Sequence, residues 1–196
     1  KGACSARNHA LRLAQGDAIQ WLDADDLLGE GKLNAQLKLL RQNPQHLVAS
    51  KWRRFAGDLT NLWPEEQGAW ASVPEQSSPI EWLLAERMLI PAGWLASRQL
   101  FESIQPWDES LLINQDGEYF TRAILASNGV IFEPQSRVYY RSEMHGSVSQ
   151  FKPHKAPSLF ASVESFEQAV LQLGNDSAIK TLISNQYMGF IYRVYP

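Results

Sequence analysis

The chain has a single cysteine, Cys4, so no intrachain disulfide can staple it. A lone thiol suits a reducing compartment, and free cysteine packs as a small hydrophobe, so Cys4 is expected to face the core from a helix. No apolar run approaches the roughly 20 residues of a membrane span. Neither charge sign dominates: 18 basic residues stand against 21 acidic ones, a formal net charge of −3. That balance argues against a nucleic-acid binder, which presents a basic face. The one compact basic cluster is Lys51-Trp52-Arg53-Arg54. It reads either as solvated charges at a strand end or as a contact to phosphate or a polar acceptor. There is no internal repeat and no low-complexity tract. The opening Lys1-Gly2-Ala3 is neither an initiator methionine nor a signal peptide. A length of 196 residues permits one good core with an appendage.

What is present is concentrated in Ile19-Gln20-Trp21-Leu22-Asp23-Ala24-Asp25-Asp26-Leu27-Leu28. An apolar strand ends abruptly in three carboxylates, and a helix start follows at Gly31-Lys32. Carboxylates at a strand's C-terminal edge lie where open α/β sheets bind ligands. Crowded hard oxygens suit Mg²⁺ or Mn²⁺, and such a metal suits a substrate diphosphate. A solvated acidic turn capping the next helix would give the same pattern.

Helical spacing predicts a helix over residues 5 to 15, closed by Gly16, then a buried strand over 18 to 22. A second helix is expected over 32 to 41 with Leu33, Leu37 and Leu40 as its apolar stripe, stopped by Asn43-Pro44. Residues 47 to 55 read as a strand and 57 to 78 as a long loop holding Trp63 and Trp70. Pro79 opens a short helix through Glu86. A strand over 94 to 96 and a short helix over 98 to 103 follow. An amphipathic helix over 115 to 127 places Phe120, Ile124 and Leu125 inward. Two strands, 130 to 132 and 137 to 140, flank a Glu133-Pro134 turn. A proline-containing hinge at 150 to 157 leads to helices over 158 to 173 and from 177 to about 195. That tail carries no chemical motif.

Three ordered blocks give the chain a family likeness. The first is Ala3 through Asp17, a small-residue helix containing Ala6-Arg7-Asn8, followed by the strand and its carboxylates. The second runs from Trp94-Leu95 and Ser97-Arg98 through Phe101 and Trp107-Asp108-Glu109-Ser110-Leu111. It ends in Asn114-Gln115-Asp116-Gly117-Glu118-Tyr119-Phe120 and Arg122. The third is Tyr139-Tyr140-Arg141 followed by Gly146-Ser147-Val148-Ser149. The pattern, which covers roughly residues 3 to 150, resembles the family 2 glycosyltransferases. The likeness implies a GT-A fold, a Rossmann-like mixed α/β sheet flanked by helices. Residues 1–150 would form the glycosyltransferase domain and residues 151–196 a helical C-terminal extension. Members of the family begin with a nucleotide-holding strand and turn. The chain therefore reads as an N-terminally truncated fragment, inactive when isolated.

The activity this implies is transfer of a sugar, with inversion, from a nucleotide-diphosphate donor to the hydroxyl of a saccharide, lipid-linked or other acceptor. A divalent metal, Mg²⁺ or Mn²⁺, would assist. The expected location is cytoplasmic, free or at the cytoplasmic membrane face, with no nucleic-acid partner. Asp23 and Asp25 fall on the family's Asp-x-Asp motif, with Asp25 as the implied metal ligand and Asp23 on metal, ribose or sugar. Asp26 would cap the turn or support Asp25. Asp116 falls where the family carries its general base. Gln115 replaces a customary Glu, and Glu118 is the competing base. Arg7 and Arg141 would bind the donor, although Arg7 also suits a structural ion pair. Asn8 suits a cap or a helix–loop bond. His145 would bind phosphate or complete the metal shell, in a segment with one residue more than the family pattern. Trp107, with Gln115 and Glu118 on the acceptor side, would stack on a sugar or pack in the core. Two other readings stay open: a nucleotidyltransferase, and a noncatalytic carbohydrate- or partner-binding module.

Overall fold

Alternating burial along one long strand organises the molecule. In the computed structural model, which describes residues 2–64, 70, 72–87, 89–142 and 151–195, Leu47 and Ala49 enter an aromatic core on one sheet face. Val48 meets Leu40 and Leu95 on the other. The period of two matches the pleat. The elements run α1 (Ala3–Leu13), β1 (Ala18–Gln20), β2 (Leu27–Leu28), α2 (Lys32–Gln42), β3 (Leu47–Ala56), β4 (Asp58–Leu62) and β5 (Gln76–Ser77). Then come α3 (Pro79–Leu84), β6 (Trp94–Ser97), α4 (Arg98–Glu102), α5 (Gln115–Ala126), β7 (Val130–Arg141), α6 (Ala156–Leu171) and α7 (Ser177–Val194). The sheet order is β1-β6-β3-β7-β2, with β4 added to β3 and β5 to β7. β3 and β7 run parallel, and the other pairs are antiparallel. This is the mixed, helix-flanked sheet expected from the sequence.

α2 covers one face. On the other, Trp21, Trp82, Trp94, Phe101, Trp107, Tyr119, Phe120 and Phe132 interlock. Trp107 stacks on Tyr119 with centroids 4.0 Å apart, and Trp21 meets both edge-on. Each such ring buries a large apolar area, so this layer dominates the core. α6 and α7 form a hairpin whose Phe166, Val170, Ile179 and Leu182 pack against Ile80, Leu83 and Leu125 of α3 and α5.

Several local expectations are corrected. α1 ends at Leu13, because Ala14 is extended with ψ 140°. Gly16 is not its cap; the carbonyls of Gly16 and Asp17 instead accept from Arg98 Nε and Arg98 N at 2.9 and 2.8 Å. The buried stripe of α2 is Lys32, Gln36 and Leu40, whereas Leu33 is exposed and Leu37 half-buried. Polar side chains face inward there because main-chain acceptors await them. Gln36 Nε2 donates to Val48 O and Gly93 O, and Lys32 Nζ donates to the side-chain oxygens of Gln20 and Gln36. Residues 57 to 78 are not one loop, since β4 and β5 lie within them. Residues 130 to 141 form one strand, because the Glu133-Pro134 step is absorbed by a register shift opposite Ser50 and Lys51. The Glu133 carboxylate accepts from the backbone N–H groups of Gln135 and Ser136 at that step. Leu27–Leu28 pairs with β7 as a short strand, and Gly29 passes so close that a Cβ would lie 2.8 Å from Arg137 O.

Candidate active site

The first carboxylate segment leaves the end of β1. Trp21 is buried, and the chain then turns, with Asp26 N donating to Asp23 O at 3.1 Å. The three acids meet three environments: Asp23 is half-buried, Asp25 exposed and Asp26 buried. Arg7 Nη2 donates to both oxygens of Asp23 at 2.8 and 2.9 Å, and its guanidinium lies 4.5 Å over the Trp107 ring. Arg7 is held by α1, which is anchored through Asn8. Asn8 Nδ2 donates to Trp107 O, and Trp107 N donates to Asn8 Oδ1, both at 2.9 Å. Asn8 thus makes a helix–loop bond. Asp26 Oδ1 accepts from Arg141 N at 3.1 Å, and among the described residues Oδ2 finds no partner. Burial pushes the Asp26 pKa up to about 6 against that bond, with the neighbouring Asp23 and Asp25 charges adding to the rise.

The second segment precedes and opens α5. Asn114 takes a left-handed conformation, φ 57°, and its Nδ2 donates to Ser162 Oγ of α6 at 3.0 Å. Asp116 is half-buried in the first helical turn and accepts from Gly117 N at 3.1 Å. Loss of solvent around the carboxyl raises its pKa; the Gly117 and Asp116 N–H groups and the Arg7 charge oppose the rise, and Asp23 adds to it. Gly117 packs against the Asn114 amide, which a Cβ there would have to displace. Glu118 is buried and fully engaged: Arg122 Nε and Nη2 donate to its two oxygens at 2.7 and 2.8 Å, and Ser165 Oγ of α6 donates to Oε1 at 2.8 Å. Gln115 Nε2 donates to Leu111 O at 2.6 Å.

Asp23, Asp25, Asp116, Arg7 and Arg141 line one cleft of about 1010 Å³, together with Gln115 and Glu118. Arg141 is tied to the protein itself. Its Nε donates to Asp25 O at 3.2 Å and its Nη1 to Gly57 O at 2.6 Å, with the guanidinium 4.4 Å over the Phe55 ring. Trp107 does not reach the cleft. Only 2% of its surface is exposed and both neighbours of its ring are protein, so stacking on a sugar does not fit this position. His145 lies outside the described residues. Among the described residues no three His, Cys, Asp or Glu side chains converge as a metal cluster. Arg54, from the basic cluster that the sequence left open between solvated charge and a polar contact, and Tyr140, from the third family block, also line the cleft; sequence reasoning missed the α7 residues Asn185, Gln186 and Arg193, which line it too. Nothing local marks the α7 residues, because they arrive there through helix packing. Among the described residues, no helix is long and apolar enough to cross a membrane.

A sequence model of the family described as glycosyl transferase family 2 matches residues 1–105, more than half of the chain. An uncharacterized glycosyltransferase of Haemophilus influenzae is 48% identical over 48 residues, 24% of this chain and 18% of its own length. An uncharacterized glycosyltransferase of Methanocaldococcus jannaschii is 25% identical over 126 residues, 63% of this chain and 41% of its own. The chain therefore spans less than half the length of these curated relatives. Among solved structures, Staphylococcus aureus TarS 1-349 in complex with UDP-GlcNAc superposes with a TM-score of 0.72 at 14% identity, covering 95% of this chain and 52% of that one. GalNAc-T7 with UDP, GalNAc and Mn²⁺ gives 0.59 at 15% identity, covering 98% and 43%. These likenesses establish the fold as that of the GT-A glycosyltransferases.

Proposed function

The chain belongs to glycosyl transferase family 2, and on that footing we propose that it carries the catalytic cleft of an enzyme moving a sugar from a nucleotide-diphosphate donor to an acceptor hydroxyl with inversion. The observation that carries this reading is the pairing of two unlike carboxylates in one cleft. Asp25 is exposed, whereas Asp116 is half-buried and has its pKa raised by desolvation.

A divalent metal fits the donor set on chemical grounds. Mg²⁺ and Mn²⁺ take hard oxygens, and Mg²⁺ is commonly held by one or two carboxylates plus substrate phosphates rather than by an all-protein cage. Asp25, which no ion pair claims among the described residues, is the carboxylate for that role, and Asp23, with acceptor positions beyond those Arg7 uses, can join it. Bound there, the ion would neutralise charge gathering on the departing diphosphate. Arg7 would bind the donor's phosphates if it exchanged Asp23 for them. Arg141 contributes by fixing the Asp25 backbone.

Asp116 acts as the base in this scheme. The acceptor oxygen bonds to the anomeric carbon as the carbon–oxygen bond to the diphosphate breaks, its electron pair leaving with phosphate. The hydroxyl proton passes to Asp116. A raised pKa brings the carboxylate nearer the working pH, which strengthens it as a proton acceptor. Residues 1–150 hold this machinery in the proposal, and residues 151–196 are a helical extension that adds one wall of the cleft.

The test uses the full-length protein with UDP-, GDP- and TDP-sugars and Mg²⁺ or Mn²⁺, UDP-sugars first because TarS and GalNAc-T7 were solved with UDP ligands. Release of nucleoside diphosphate with an inverted glycoside supports the reading. Release of sugar 1-phosphate, with the nucleotide transferred, would point to nucleotidyl transfer, saccharide binding without turnover to a binding module, and a retained configuration against the single-base mechanism.

A further inference from the structure

The β3–β4 hairpin stands at the same cleft and carries chemistry that the transfer reaction does not use. Arg54 has two indoles beside it, its guanidinium 5.6 Å from the Trp52 ring centroid and 5.6 Å from that of Trp63. Tyr140 meets Trp52 edge-on at 6.0 Å, and both Arg54 and Tyr140 line the cleft. Trp63 is 43% exposed, an unusual state for the largest apolar side chain. Its backbone is nonetheless fixed. Trp63 N donates to Arg54 O at 3.0 Å, and Arg53 Nε donates to Trp63 O at 2.7 Å. Among the described residues, no carboxylate or carbonyl pairs with the Arg54 guanidinium. A guanidinium held beside aromatic rings still carries N–H donors that suit a planar or tetrahedral anion. The same hairpin is bonded through Gly57 O to Arg141, which holds Asp25 O. The platform is therefore set rigidly against the reacting centre.

We propose that Trp63, Arg54 and Tyr140 form an acceptor subsite for a saccharide bearing an anionic group, a carboxylate or a phosphate. This rests on the glycosyl-transfer reading and names the acceptor class. The exposed indole offers a flat apolar face to the C–H face of a pyranose, and Arg54 reads the charge beside it.

The test is isothermal titration of the full-length protein with three probes. A hyaluronan tetrasaccharide supplies carboxylates, N-acetylglucosamine 1-phosphate supplies a phosphate, and chitotetraose is the neutral control. The unaltered protein is expected to bind at least one anionic probe about tenfold more tightly than chitotetraose. Trp63→Ala should weaken that binding about tenfold, and Arg54→Met should abolish the preference for charge. Equal affinity for charged and neutral saccharides in the unaltered protein, which needs no variant, overturns the proposal. So does undiminished binding by Trp63→Ala, and so does loss of UDP affinity in Trp63→Ala without any saccharide binding, which would assign the platform to the donor base. Saccharide binding as expected, with no turnover of any nucleotide sugar, would reject the transfer reading and leave the subsite.

Discussion

The two carboxylate segments of the cleft, residues 23–26 and 114–118, are built on one plan and differ in one respect. Each holds an acid that an arginine has claimed: Arg7 takes Asp23, and Arg122 takes Glu118. Each leaves another acid without such a partner among the described residues, Asp25 in one and Asp116 in the other. Each is braced from behind. Lys32, Gln36 and Gln20 support the first, Gln20 Nε2 donating to Trp21 O at 2.6 Å. The α6 hydroxyls support the second, Ser158 Oγ accepting from Leu112 N and Ser162 Oγ from Asn114 Nδ2. The difference is solvation. Asp25 is exposed, while Asp116 is half-buried where desolvation disfavours its charge. A solvated carboxylate suits a cation that arrives with its own ligands; a desolvated one suits proton transfer.

The strongest way to break this comparison is to neutralise each unclaimed acid in turn. Asp116→Asn keeps the shape and removes the proton acceptor, so transfer should fall roughly 10²–10⁴-fold while donor affinity, read by titration with nucleotide sugar, is retained. Asp116's raised pKa also places the ascending limb of kcat/KM against pH above the ordinary carboxylate range, and Asp116→Asn should lose that limb. Asp25→Asn should also cut turnover, by about 10³-fold, but through metal-dependent donor use. Full turnover of either variant, or full activity in excess chelator, would dissolve the distinction between the two acids.

The claimed acids sharpen it. Glu118 sits 5% exposed against Arg122 at 17%, and removing one partner of a buried pair strands the other. Glu118→Ala should lower stability by about 3 kcal/mol in urea denaturation. Glu118→Gln keeps hydrogen-bonding atoms and should cost about 1–2 kcal/mol, with transfer reduced by less than about tenfold. Loss of transfer in Glu118→Gln with the fold intact, beside an active Asp116→Asn, would move the base by two residues.

What could be read in advance was local. The order Arg7-Asn8, Asp23-x-Asp25 and Asp116-Gly117-Glu118 lies in contiguous stretches, and the elements that carry them follow from spacing and breakers. What could not be read depended on partners far along the chain. Lys32 and Gln36 look like the solvent face of a helix until the carbonyls of Val48 and Gly93 and the side chain of Gln20 are brought to them. Trp107 serves as core because Tyr119, twelve positions on, is turned onto it by α5. Arg54 reaches the cleft because β3 pairs with β7, setting Arg54 opposite Tyr140. Leu27–Leu28 is too short to signal a strand without its β7 partner.

The most gradual expected effect, a slope with pH, tests the brace beneath the first segment. Lys32 is 1% exposed, and burial lowers its pKa from 10.5 to about 7, with Glu133 opposing the shift. Between those values the unfolded chain holds a proton that the folded chain has released. Stability must therefore rise with pH across the window from about 7 to 10.5, by up to roughly 1 kcal/mol per pH unit from this group. Below pH 7 both states are protonated and the contribution is flat. Lys32→Met removes the titrating group, so the difference in unfolding free energy between the two proteins should change in slope between pH 7.5 and 9. It should stay level between pH 5.5 and 6.5, as followed by urea midpoints. A parallel pH dependence in both proteins would mean that Lys32 keeps its ordinary pKa and reaches water. The carboxylate segment would then lack the dry, hydrogen-bonded support that distinguishes its footing from that of the second.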